Sequence, residues 1–203
     1  KIRRSHTLKN YIPHSWPSEE EMVTLVDKSS GSFIYPATVI RYIAGQPRRN
    51  PVSLLERALN LDVSSGSDDP LKELHALYSH ILHPPDVDFL VLKRILHTIM
   101  EFKGATRPEI LKPRIADQFF DYTPGSASAN ICDLHSLIDI TPYDNEGDIE
   151  GPMRFHHKSI EDYLHSKRSD DLYQPVGETV LDLMTVLVHH VGKLRLNPFI
   201  SPD

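Results

Sequence analysis

Leu71, Leu74, Leu77, Tyr78, Ile81 and Leu82 recur at three- and four-residue intervals between Asp69-Pro70 and Pro84-Pro85. A helix with a single apolar face puts all six on one side, and a proline can open a helix but disrupts one from inside. Variants of this bracketed stripe recur along the sequence. Ser18-Glu19-Glu20-Glu21 is a capping box, in which the serine oxygen accepts the Glu21 amide and the Glu21 carboxylate reaches back to the serine amide. It opens a helix through Met22, Val23, Leu25 and Val26 that ends at Ser29-Ser30-Gly31. The next stretch, Phe33 to Ile43, is rich in β-branched and aromatic residues that would also suit a strand. Phe33, Ala37, Ile40 and Ala44 share one side at helical spacing before Gly45, which predicts a helix with that side as its apolar face.

Asn50-Pro51 supplies a cap and a first-turn proline for a helix through Leu54, Leu55, Ala58, Leu59 and Leu61, with Ser64-Ser65-Gly66-Ser67 as the following loop. Asp86 to Phe102 is predicted as a longer helix, apolar nearly all round and therefore central to its module. Thr106-Arg107-Pro108-Glu109 is a second capping box leading through Ile110, Leu111 and Ile115, and Ala127 to Leu137 completes this run of helices. Ile138 and Ile140 then alternate, Tyr143 to Asp148 is rich in turn residues, and Met153 and Phe155 alternate again, which is the pattern of a β-hairpin. Helix resumes at His157 to Leu164, and a last helix runs from about Gly177 to Val191 through Val180, Leu181, Leu183, Met184, Leu187 and Val188. The expected fold is mainly α: a helical bundle over residues 1–84, a winged-helix-like module with one small hairpin over 85–168, and a C-terminal helix and tail over 169–203.

The 22 Lys and Arg against 28 Asp and Glu leave a net charge of −6, with the basic residues scattered apart from the Lys1/Arg3/Arg4 end. Nucleic-acid or anionic-membrane binding normally needs a concentrated basic face, so neither is expected. The single cysteine, Cys132, cannot form an internal disulfide and is expected to be a small buried apolar residue. No apolar run reaches the ~18 residues of a membrane span, no secretory signal is present, and a cytoplasmic setting is expected. The chain starts with Lys1 and ends without a terminating element, which predicts a piece cut from a longer protein.

No catalytic residue and no metal ligand set is assigned. Both the phosphate-cradling G-x-x-x-x-G-K-[ST] loop and G-x-G-x-x-G are absent from the sequence, so no cofactor is expected within the chain itself. His75, His80 and His83 do not share one helical face, so a zinc site is not expected from them. Ser159, His157 and Asp162 are the residue types of a hydrolase triad, but neighbours along one helix seldom converge as nucleophile, base and orienter. Trp16 is read as an apolar lead-in to the first helix.

Two stretches nevertheless form a pattern. Trp16-Pro17-Ser18 through Leu25-Val26, Gly31, Phe33-Ile34-Tyr35, Ala37-Thr38 and Arg41-Tyr42-Ile43 is the first. The second joins Leu134 to Ile138 with Arg154-Phe155-His156-His157-Lys158-Ser159-Ile160-Glu161-Asp162-Tyr163-Leu164, and the L-x-x-L-Y-x-x-I-L run from Leu74 lies between them. Together they resemble the region after the nucleotide-binding core in fungal signalling NTPases with a NACHT domain, relatives of the NOD-like receptors within the STAND class and expanded in basidiomycetes. The resemblance covers most of residues 12–165. It implies a molecular switch, in which ATP/ADP or GTP/GDP bound by an N-terminal core holds helical and winged-helix attachments closed, and exchange lets them swing apart and oligomerise. This chain would supply the attachments, with the core and a C-terminal repeat domain as its partners in cis. The resemblance also places His157 where related proteins contact the nucleotide's terminal phosphate from a helix start, a setting that suits an anion. Lys158 departs from the pattern, since the plant relatives carry aspartate there. The rival reading is a winged-helix nucleic-acid binder, whose recognition helix would fall around Ile131 to Leu137, a segment without Lys or Arg.

Overall fold

The computed structural model of the chain describes residues 7–61, 69–104, 109–140 and 151–195. The fold is mainly helical with one two-stranded hairpin. In chain order the elements are α1 (Glu19–Ser29), α2 (Ile34–Ala44), α3 (Pro51–Leu59), α4 (Lys72–Leu82), α5 (Phe89–Phe102), α6 (Pro113–Phe119), α7 (Ser126–Ile131), β1 (Ile138–Ile140), β2 (Met153–Phe155), α8 (Lys158–Leu164) and α9 (Val176–Arg195). Single 3-10 segments occur at Lys9–Tyr11, Glu109–Leu111 and Lys167–Leu172. The loop at residues 64–67, the capping box at 106–109 and the hairpin turn at 143–148 fall wholly or mainly outside the described residues.

The chain divides into two compact units that alternate along the sequence. The first takes the chain up to Val87 together with Ile131–Asp139 and Phe155–Tyr163, and the second takes Asp88–Asn130, Ile140–Arg154 and Leu164 onward. The sequence reading divides the chain instead at residues 84 and 168.

In the first unit α1, α2, α3 and α4 pack on one another. The capping box at α1 forms as expected, with the Glu21 amide donating to Ser18 Oγ at 3.1 Å and the Ser18 amide to Glu21 Oε2 at 2.6 Å. Asn50 likewise caps α3, accepting from the Val52 amide at 3.0 Å. The apolar face expected for α2 is a correction: Phe33 is 90% exposed and Ile40 49% exposed, while Tyr35, Thr38, Val39, Tyr42 and Ile43 are buried. Both sets have helical spacing, so periodicity does not separate them. The tyrosine set is the buried one, and each phenol finds a partner there. Tyr35 donates to the Ala58 carbonyl at 3.3 Å, and Tyr42 shares a 3.0 Å hydrogen bond with His80 Nε2.

In the second unit α5 is the central helix, with Leu92, Ile95, Leu96 and Ile99 buried. Its cap is Asp88, not Asp86: Asp88 Oδ1 accepts from the Leu90 and Val91 amides at 3.0 and 3.2 Å. The helix expected from the second capping box starts instead at Pro113, which has no amide proton to lose at a first-turn position. Asp117, buried on α6, accepts from the Gly125 and Ala127 amides at 2.7 and 2.8 Å and so holds the entry to α7. Helix α7 ends at Ile131 rather than Leu137, and Leu134 to Leu137 form successive turns. Arg94 binds Asp182 of α9 through Nε and Nη2, at 2.7 and 2.8 Å. The opposite face of α9 leaves Leu181, Met184, Leu187 and Val188 exposed. Among the described residues no helix is long and apolar enough to cross a membrane.

Replacing Asp117 by alanine leaves two amides without their charged acceptor and should lower the unfolding free energy by about 2 kcal/mol or more in urea titrations. Burial, then Arg57 and Arg49, lowers the His80 pKa from 6.5. Burial lowers that of His97 as well, with Lys93 and His165 adding to it against the hydrogen bond to the Leu172 carbonyl. The unfolded chain then binds more protons, so this stabilisation is complete above pH 6.5 and lost as pH falls through the lowered folded values. Melting temperature should fall on acidification below that pH, and His80→Gln and His97→Gln should each flatten the acid limb.

Candidate functional site

His157 lies immediately before α8, and its ring caps that helix: the Ser159 amide donates to Nδ1 at 3.1 Å. A nitrogen that accepts from an amide carries no proton, so the neutral ring carries its proton on Nε2. Ser159 Oγ, 2.8 Å from the same Nδ1, must then donate to it. The Tyr78 hydroxyl, 2.6 Å from Ser159 Oγ, becomes the donor to the serine oxygen, and Tyr78 is also hydrogen-bonded to Thr38. A relay from Thr38 on α2 through Tyr78 on α4 and Ser159 on α8 therefore orients the imidazole and leaves Nε2–H as its free donor. Burial raises the Tyr78 pKa, so the phenol stays a donor at neutral pH.

Tyr78 packs edge-on against Tyr163, at 5.6 Å between ring centroids. His75 stacks on the other end of that aromatic group, 5.3 Å from Tyr163, and bonds Asp69 at 3.0 Å. A narrow crevice beside the relay is lined by Thr38, Arg41, Tyr78, Ser136, His156 and His157 among others, all in the first unit. It depends on a close approach at the end of α2, where a Cβ on Gly45 would lie 3.2 Å from the His135 side chain. Glycine at that position allows the turn carrying Ser136 to reach the helix carrying Arg41. His156 Nε2 completes the wall by donating to the His135 carbonyl at 3.0 Å.

His157 is thus a fixed hydrogen-bond donor, but the ring takes an α8 amide for itself, so its own Nε2–H rather than the short helix's end would face an anion. Ser159 and His157 do meet, against the expectation that helix neighbours seldom converge. They meet at Nδ1, however, which in a hydrolase triad belongs to the acid, and among the described residues no contact joins Asp162 to either. His75, His80 and His83 go to three separate partners, Asp69, Tyr42 and the Ser79 carbonyl. Cys132 is exposed, a correction, because Ile131 and Leu134 take the inward positions around it. Of the segment weighed as a recognition helix, Ile131 to Leu137, only Ile131 is helical, as the last residue of α7. Tyr78 reads in the sequence as part of an apolar stripe, and Arg41 and Ser136 only as parts of the resembling stretches, none of them as a site residue.

The second unit has a larger open crevice, of about 500 Å³, between α5 and α9. Many of its polar groups are already engaged: Lys93 with the Asp171 and Tyr173 carbonyls, His97 with Leu172, Arg94 with Asp182 and Tyr122, and Gln174 with Thr179. That cleft is wide, yet much of its polar chemistry holds the unit together.

Ser159→Ala should destabilise the chain by about 1–3 kcal/mol, because it strips a partner from the buried Tyr78 hydroxyl. Adding Tyr78→Phe should cost less in that background than in the wild type, a coupling that a double-mutant cycle in urea would measure; additive losses would disprove the relay.

Compared with known proteins, the chain matches no family model, no curated protein and no solved structure.

Proposed function

We propose that this chain is the regulatory helical part of a cytoplasmic nucleotide-dependent switch of the NACHT type, working through interdomain contacts and oligomerisation rather than catalysis of its own. The observation that carries the reading is the orientation of His157. Three side chains from three helices hold its ring with Nε2–H free, at the position where the resemblance to signalling NTPases puts the phosphate contact. A pre-oriented neutral donor loses little freedom on meeting a phosphate, so its contact adds to whatever a nucleotide-binding core supplies. In the closed state His157 touches the terminal phosphate of the diphosphate held by that core, and exchange to the triphosphate removes or misplaces the contact. Such a ligand moves the switch only by its different affinity for the two arrangements, which is what a single well-aimed donor provides.

The test joins this chain to an upstream NTPase core and follows ADP retention. His157→Ala should speed ADP release about tenfold or more, the loss of one hydrogen bond to a charged group. The chain by itself should bind ADP no better than millimolar. Unchanged release from the longer variant, or micromolar ADP binding by the chain alone, would refute the reading.

A further inference from the structure

Arg41 and Ser136 are polar groups in the first unit that the His157 relay does not use. Nη1 of Arg41 is buried and has no hydrogen-bond partner among the described residues, and the same holds for Oγ of Ser136, a residue only 2% exposed. Both line the narrow crevice beside His157, and among the described residues no carboxylate lines it with them. Desolvating a guanidinium nitrogen and a hydroxyl with no acceptor is costly, and folded chains seldom keep such groups unless something fills the place. The neighbouring polar groups are not available to repair the defect: Tyr78 is committed to Ser159 and Thr38, and His156 to the His135 carbonyl. What is missing is an acceptor, and beside a guanidinium an anionic one.

The crevice has room for about 10 Å³, the space of a single oxygen atom. We propose that Arg41 and Ser136 form a receptor for one terminal oxygen of a phosphoryl group, whose remaining oxygens stay at the mouth of the crevice. Arg41 supplies the charge and one N–H donor, and Ser136 supplies a hydroxyl donor. A tetrahedral oxyanion suits the site because it can insert one oxygen and keep the others solvated. The sources share this chemistry: free phosphate, or the last phosphate of a nucleotide. The inference does not rest on the switch reading, since it concerns what the chain binds alone and assigns no role to His157.

The experiment is thermal unfolding of the full chain at fixed ionic strength, with inorganic phosphate replacing chloride, for wild type, Arg41→Met and Ser136→Ala. Wild type should show a saturable rise in Tm of about 2–5 °C with millimolar half-saturation. Both variants should keep only the non-saturating rise that excluded salts produce in any protein. In chloride alone Arg41→Met should melt at or above wild type, because methionine fills the space without an unpaired donor. Equal phosphate responses in all three proteins overturn the proposal, as does a wild-type response that never saturates. Should Arg41→Met fail to fold, Ser136→Ala decides by losing or keeping the saturable rise. Repeating the series with ADP distinguishes the sources: the one with the lower half-saturation is the better occupant, and ADP retention in the longer protein can fail without touching this result.

Discussion

The phenol of Tyr78 sits 1% exposed in the middle of α4, where an unpaired hydroxyl would cost a sizeable part of a small unit's stability. Its pairing organises the first unit. Thr38 and Ser159 are its partners, from segments about 40 residues before and 80 after, and Tyr163 packs against its ring. Because the partners must arrive together, the requirement selects the face of α2 that turns inward and brings the segment after the hairpin back to the unit where the chain began. The orientation of His157 is a by-product of the same requirement, since the serine that satisfies Tyr78 is the one that holds the imidazole.

The two units spend their polar groups differently. In the second, the cleft between α5 and α9 is crossed by the Arg94–Asp182 pair and framed by lysine and histidine bonds to backbone carbonyls. In the first, a crevice fit for one atom leaves two donors without acceptors. Cleft size and unpaired donors therefore do not go together in this protein. Local rules of stability are usually broken where a protein keeps a group ready for something else.

Residues at helix starts were the most legible part of the chain. Ser18 with Glu21 and Asn50 act on amides two or three positions away, so their role follows from sequence alone. Faces and lengths were less legible. Phe33/Ile40 and Tyr35/Tyr42 have equivalent spacing on α2, and only the presence of Ala58 and His80 in the right places decides for the tyrosines. Helix α7 stops at Ile131 although its sequence continues with helix-compatible residues, because Leu134, Leu137 and Ile138 bury more apolar surface from turns and a strand. Of the site, His157 was legible through resemblance and its contact with Ser159 was underrated. Arg41 and Ser136 lie 95 positions apart, and the resemblance that includes them assigns neither a role.

The sequence by itself determined a mainly helical chain with one hairpin, and most of the points where helices begin, since apolar spacing and capping act over a few residues. Tertiary structure alone decided how the chain divides, which face of α2 is buried, which nitrogen of His157 is free and which donors go unpaired. Each of those depends on groups that meet only after long loops close, and no local preference encodes the acceptor that a distant segment will or will not bring.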